Sequence, residues 1–172
     1  MKEPINVFDY ATRIEKNLPG GALLNTLHTR FDSMVIGWGH LGTLWSKPTF
    51  VVYVRDSRFT KEQLDATGEF TVSFPLQKPD PLITRVCGTL SGRDTDKLAE
   101  AHLTTDPANT VKVPALWEYP LTLECRVLYS GRMDPAALPQ DVQTAFYPAD
   151  DKGCQDAHTA YVGLITSAYI LR

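Results

Sequence analysis

The sequence predicts a mainly β protein, a small β-barrel with short helical insertions. Three observations carry that reading. Several segments are rich in β-branched and aromatic residues, and some alternate apolar with polar positions. Turns marked by Gly and Pro separate them, and the helical stretches between them are short. About six strands punctuated in this way suit a barrel better than an alternating βαβ sheet. At 172 residues the chain has the length of one domain, 1–172, with room for a sizeable core.

Taken in order, Val7–Lys16 reads as a short amphipathic helix closed by the turn Pro19-Gly20-Gly21. Ala22–Thr29 and Ser33–Trp38 read as strands around a turn at Arg30-Phe31-Asp32. Thr49–Val54 is a run suited to a buried strand. Lys61–Ala66 is a short helix that stops near Gly68. In Glu69–Phe74, Phe70, Val72 and Phe74 oppose Thr71 and Ser73, the pattern of a half-buried strand. Pro75, Pro79 and Pro81 predict irregular structure. Thr95–Ala101 reads as a second capped helix, Leu121–Tyr129 as a long strand, Asp134–Phe146 as partly helical, and His158–Ile165 as a last strand. There is no internal repeat, low-complexity tract or interdomain linker.

Composition narrows the function classes. With 17 basic and 20 acidic residues the formal charge is −3, which argues against general nucleic-acid binding, so any anion site must be local. No apolar run approaches the roughly 20 residues that span a bilayer. Met1–Asn6 carries no signal-peptide core, and the three cysteines, Cys87, Cys125 and Cys154, form no CxxC pair. The expectation is a reduced, cytoplasmic protein whose cysteines are buried apolar residues, with Cys87 the one nearest a ligand. His28, His40, His102 and His158 are scattered, so no metal is expected.

The most informative stretch is Val54-Arg55-Asp56-Ser57-Arg58-Phe59-Thr60-Lys61-Glu62-Gln63, a strand running through two arginines into a helix. Thr60 and Gln63 fit a capping box with Thr60 as N-cap. The helix N-terminus beside Arg55, Ser57 and Arg58 suits a phosphate monoester. Capped helices far outnumber phosphate sites, so the neighbours must decide. Ser33–Gly39 is an apolar strand ending in glycines around Trp38. There Gly37 and Gly39 would admit a flat ligand to the main chain, or Trp38 would simply fill the core. Ser91-Gly92-Arg93-Asp94 repeats the helix-start theme, with Arg93 and Lys97 supplying charge and Asp94 a reciprocal cap. His158, at a strand mouth after a polar loop, is either a structural residue or one that meets a ligand.

These blocks, with Lys47-Pro48-Thr49-Phe50, Gly68–Ser73, Cys87–Lys97, Glu124-Cys125 and His158–Gly163, resemble the flavin reductase-like family in its flavoredoxin branch. Each is weak alone; together, in family order across nearly the whole chain, they are specific. The resemblance implies an FMN-binding split β-barrel, homodimeric, with non-covalent FMN near the subunit interface. It implies that Met34, Val35, Ile36, Gly37 and Trp38 meet the isoalloxazine, that Arg55, Ser57, Arg58 and Thr60 hold the phosphate, and that Phe59 also belongs to the cofactor site. Ser91, Gly92, Arg93, Asp94 and Lys97 would lie by the ribityl–phosphate end, and His158 would position flavin or nicotinamide. Val35, His40 and Leu98 depart from the residue types usual in the family. The expected activity is electron transfer from NAD(P)H through FMN to a flavin, ferric iron or a redox protein. An electron carrier without nicotinamide turnover is the alternative; a pyridoxamine-phosphate-oxidase-like or haem-handling relative is a third reading.

Overall fold

The computed structural model describes residues 1–172. Ten strands are present: β1 (Lys2–Pro4), β2 (Ala22–Leu27), β3 (Phe31–Ile36), β4 (Gly39–Leu44), β5 (Lys47–Arg55), β6 (Glu69–Phe74), β7 (Thr105–Asp106), β8 (Ala115–Leu116), β9 (Leu121–Arg132) and β10 (His158–Leu171). The helices are α1 (Ala11–Asn17), α2 (Phe59–Thr67), α3 (Pro81–Thr89), α4 (Lys97–Glu100) and α5 (Gln140–Phe146). No helix is long and apolar enough to cross a membrane.

The main sheet runs β3-β2-β6-β9-β10-β5-β4, with β1 added against β10 and all pairs antiparallel. Its two end strands, β3 and β4, are consecutive in sequence yet unpaired with each other, and Gly37-Trp38 bridges them. The barrel is therefore split between β3 and β4, leaving one main-chain edge of β3 without a strand neighbour.

Alternation along the strands builds the core. Leu24 of β2, Phe50, Val52 and Val54 of β5, Phe70, Val72 and Phe74 of β6, and Leu121, Leu123 and Cys125 of β9 form one buried cluster. Ile14 of α1 and Leu64 of α2 join it. A second cluster covers the opposite face of β2 and β3, where Ile83, Val86 and Cys87 of α3 pack with Leu23, Leu116 and Tyr119. Both faces of β6 are thus buried, Thr71 and Ser73 included, and not one face as the alternation predicts. The polar layer is satisfied internally: Asn25 Nδ2 donates to Thr71 Oγ1 and Ser73 Oγ, and Ser33 Oγ donates to Asn25 Oδ1.

Several boundaries differ from the sequence expectation. The turn between β2 and β3 is His28–Arg30, and Phe31 and Asp32 belong to β3. β4 was not expected; its hairpin to β5 closes with Trp45 and Ser46 both at positive φ (50° and 57°), a left-handed pair that neither residue type advertises. α3 replaces the irregular segment expected after Pro75. Pro81 occupies its first turn, where no N–H is needed, and Asp80 caps it by accepting from Leu82 N at 2.7 Å. The second capped helix is shorter than Thr95–Ala101, with Asp96 as its N-cap. Cys154 is exposed, whereas Cys87 and Cys125 are buried.

Gly163, beside a β-bulge in β10, faces the core; a Cβ there would lie 2.4 Å from Phe70 Cζ. Gly163→Ala should lower the unfolding free energy by roughly 1–3 kcal/mol, because the Phe70 ring must leave its rotamer well. The urea midpoint of the variant against wild type measures it.

Candidate functional site

Two adjoining clefts lie beside β3. The first, of about 150 Å³, is lined by Asp32, Met34 and Val35 of β3, by Ser57–Thr60 at the start of α2, by Cys87, Gly88 and Leu90, and by Ser91, Gly92, Arg93 and Lys97. The second, of about 230 Å³, is lined by Met34, Val35, Ile36, Gly37, Trp38, Tyr53, Arg55, Arg58 and His158. Met34, Val35 and Arg58 belong to both, so the clefts form one groove along the open side of the split. The groove brings together every expected cofactor residue except Asp94, which lines neither cleft.

Helix α2 is positioned differently from the capping-box expectation. Arg58 holds the N-cap position in extended conformation, and its side chain makes no cap bond. Thr60 lies inside the first turn; its hydroxyl donates to Asp32 Oδ2 at 2.6 Å. Gln63 does not reach back to a cap: its Nε2 donates to Thr26 Oγ1 and its Oε1 accepts from His28 N. The α2 start is thus bolted to β2 and β3 through buried side chains. Its first two main-chain N–H groups, of Phe59 and Thr60, have no partner in the chain.

Beneath the first cleft, Asp32 and Lys97 form a buried ion pair, 1% and 3% exposed, with Nζ 2.9 Å from Oδ1. Lys97 Nζ also donates to Ser33 O at 2.7 Å. The Lys97 ammonium is thus the partner of Oδ1, which has essentially no accessible surface toward the cleft. Gly92 covers it; a Cβ at Gly92 would come within 2.2 Å of Oδ1 and 2.8 Å of Phe59 Cδ1. Lys97 is therefore an internal counter-ion rather than a surface charge. Arg93 pairs with Glu62, donates to Ser57 O at 3.2 Å and stacks over the Phe59 ring.

Of the four side chains expected to receive a phosphate, three are already engaged: Thr60 by Asp32, and Arg55 and Ser57 by the loop before β10. Arg55 donates to Asp156 O (2.7 Å) and Phe146 O (2.9 Å), tying down both ends of the loop between α5 and β10. Ser57 gives its N–H to Asp156 Oδ1 (3.0 Å) and its hydroxyl to Asp156 Oδ2 (2.7 Å). Arg58 alone has a guanidinium with no internal partner, and it stands where the clefts meet.

The second cleft is walled by aromatic groups. β10 pairs with β5 so that His158 lies opposite Arg55. Its ring sits 5.0 Å from Trp38, and its Nδ1 shares a 2.8 Å hydrogen bond with Tyr147 OH. Trp38 is 45% exposed and meets the Phe146 ring edge-on, so it is not a core residue. Gly39, by contrast, is glycine for packing, since a Cβ would lie 2.8 Å from Val51 O and 3.1 Å from the Phe50 ring. Burial pushes the His158 pKa down to about 4, and the charge of Arg55 adds to the effect. The imidazole is neutral at pH 7 and hydrogen-bonds without carrying charge.

Sequence reasoning missed Tyr53, Phe146, Tyr147, Asp156 and the buried role of Asp32. Asp32 read as a turn residue just before the strand of Ser33–Trp38. The others are gathered by the β5–β10 pairing, which sequence spacing does not reveal.

Residues 32–170 match the model of the flavin reductase like domain. The chain belongs to the flavin reductase-like family, a family of flavin-related redox proteins. A curated relative, an uncharacterised protein of Archaeoglobus fulgidus, is 37% identical over 79 residues; the match spans 45% of this chain and 43% of that protein. Among solved structures, a flavoredoxin of Desulfovibrio vulgaris superposes with a TM-score of 0.66 at 19% identity, covering 88% of this chain and 69% of that one. A flavoredoxin from Methanosarcina acetivorans gives 0.63 at 24%, covering 88% and 68%. The FMN-binding domain of a flavin reductase-like enzyme from Shewanella baltica gives 0.65 at 13%, covering 99% and 77%. These likenesses establish the split-barrel fold.

The His158 shift has a consequence for stability. The unfolded chain takes up a proton near pH 6.5 and the folded protein only near pH 4. Stability is lost as pH falls through that window, by about 3 kcal/mol for this one group. In His158→Gln that loss disappears, so the stability advantage of wild type over variant should shrink by about 3 kcal/mol between pH 7 and pH 4. Urea unfolding at the two pH values reads it.

Proposed function

We propose that this protein is an FMN-dependent oxidoreductase of the flavin reductase or flavoredoxin type. One observation carries the reading: a set of unpartnered donors opens onto a groove that follows the free edge of β3. The donors are the N–H groups of Phe59 and Thr60 and the guanidinium of Arg58. A phosphate monoester fits donors of that kind at a helix N-terminus, and Arg58 can present a bidentate fork.

In this reading Met34, Val35, Ile36, Gly37 and Trp38 border the isoalloxazine, and the unpaired main chain of β3 can meet its polar edge. Phe59, Thr60 and Arg58 hold the phosphate, and Ser57 joins them when it is free of Asp156. Ser91, Gly92 and Arg93 close the ribityl side, and Lys97 acts from beneath by neutralising Asp32. Arg55 acts through the loop it ties down, and Asp94 takes no direct part. Bound FMN supplies two-electron redox chemistry. The chain's own groups bind, orient and shield. His158, neutral and held by Tyr147, positions a ring or a donor and moves no proton.

NAD(P)H is the proposed electron donor, and a second flavin, ferric iron or a redox protein the acceptor. A homodimer is proposed because Trp38 and Phe146 leave aromatic surface exposed at the groove mouth. The free thiols of Cys87, Cys125 and Cys154 agree with a reducing, cytoplasmic setting.

The test is a ligand titration. FMN should bind about a hundredfold more tightly than riboflavin, the worth of two or so charge-assisted hydrogen bonds. Arg58→Ala should erase most of that gap. Lys61→Ala should not, because Lys61 pairs with Asp65 at 2.7 Å along the helix. Equal affinity of the wild type for the two flavins removes the phosphate assignment. Anaerobic stopped-flow mixing of the FMN-loaded protein with NADH or NADPH tests the donor: no bleaching leaves an electron carrier without nicotinamide turnover.

A further inference from the structure

Ser57 is the one expected phosphate ligand whose N–H and hydroxyl are both already bound to an anion, and that anion is the chain's own. The two oxygens of the Asp156 carboxylate lie 3.0 Å from Ser57 N and 2.7 Å from Ser57 Oγ. Two phosphate oxygens would make the same pair of contacts. Ser57, which holds the carboxylate, lines the first cleft together with Phe59 and Thr60, whose N–H groups at the start of α2 have no partner. Arg58, whose guanidinium has no partner in the chain, lines the same cleft.

We infer that Asp156 is an internal competitor for the ligand's phosphate and sets how strongly the groove prefers phosphorylated over unphosphorylated flavin. The inference rests on the phosphate reading of the preceding subsection. The way Asp156 is held supports it. Its carboxylate has no cation within ion-pair distance, so its two bonds to Ser57 come from neutral donors. Its main chain is fixed separately, through Arg55 Nη1 to Asp156 O. The side chain can therefore rotate off Ser57 without unravelling the loop. A phosphate monoester carries more charge and can engage Arg58 and two main-chain N–H groups besides Ser57, so it displaces the carboxylate. Displacement has a cost, because the dianion and the freed carboxylate are like charges a few ångströms apart. That cost lowers the affinity for FMN and leaves an unphosphorylated flavin, which does not reach Ser57, outside the competition.

The experiment measures FMN and riboflavin affinities of the wild type and Asp156→Asn by fluorescence quenching. Asparagine keeps an acceptor for Ser57, so the loop stays anchored, but it removes the charge. The ratio of FMN to riboflavin affinity should rise at least tenfold in the variant. A ratio unchanged or lowered overturns the competitor role. If the wild type also holds both flavins equally, the phosphate reading falls with it. A wild type that prefers FMN, with no gain in the variant, leaves the phosphate reading standing and removes only Asp156.

A measurement on the wild type alone guards against a variant that folds poorly. In amide-resolved NMR with inorganic phosphate as the probe, the Ser57 resonance should move together with those of Phe59 and Thr60. A Ser57 amide that stays fixed while its neighbours respond, or the absence of any response, overturns the inference.

Discussion

The architecture around the groove depends on one carboxylate, Asp32, buried in the end strand of a split barrel. An ionised group at 1% exposure is tolerable only if its charge is compensated and its lone pairs are used. Lys97 from α4 supplies the charge and the Thr60 hydroxyl from α2 one hydrogen bond. Two elements distant in sequence are thereby fixed to β3, and with it they wall much of the first cleft. Removing one member of such a pair typically costs about 3–5 kcal/mol, since the survivor is left buried and unpaired. A pair of apolar residues would serve stability as well. What the ion pair adds is a defined orientation of the α2 start, whose N–H groups are the donors the proposed function needs.

A second constraint shapes the other cleft. Arg55 ends β5 and spends its guanidinium on two carbonyls, which pins the loop following α5 against the groove. That helix buries no side chain of its own, so the loop's position owes little to apolar packing. It is held by Arg55, by the hydrogen bond of Tyr147 with His158, and by Asp156 on Ser57. Polar bonds of this kind are individually modest, and a charged ligand can replace one of them.

Most of the barrel was legible in the sequence because its strands announce themselves by pattern. Glu69–Phe74 coincides with β6, and the strand begun at Leu121 needed only a longer end. The losses have physical causes. β4 is an edge strand with Gly39 and Gly42 and only intermittent burial, so no apolar pattern marks it. α3 was hidden behind three prolines, though Asp80-Pro81 is a sound helix start. Thr60 and Gln63 looked like a capping box, but tertiary partners on β2 and β3 claimed both side chains. Local capping rules give way where a buried acceptor offers a stronger bond.

The residues of the groove were legible for a different reason. They lie in blocks that could be read in order along the chain as a resemblance to the family, whereas their chemistry is set by neighbours that sequence does not reveal. Arg55, Ser57, Arg58 and Thr60 looked equivalent as phosphate ligands. In the fold, Arg55 faces carbonyls, Thr60 faces a buried carboxylate, Ser57 faces Asp156, and Arg58 alone is free. The division of labour follows from direction. β5 runs into the turn with Arg55 on the side of β10, so it meets the loop leading into that strand. The first turn of α2 rotates Thr60 inward to β3 and leaves Arg58, one step before the helix, at the junction of the two clefts. A run of four polar residues thus becomes a loop clamp, an occupied anion turn, a free cation and a buried anchor, through the geometry of a strand that ends and a helix that begins.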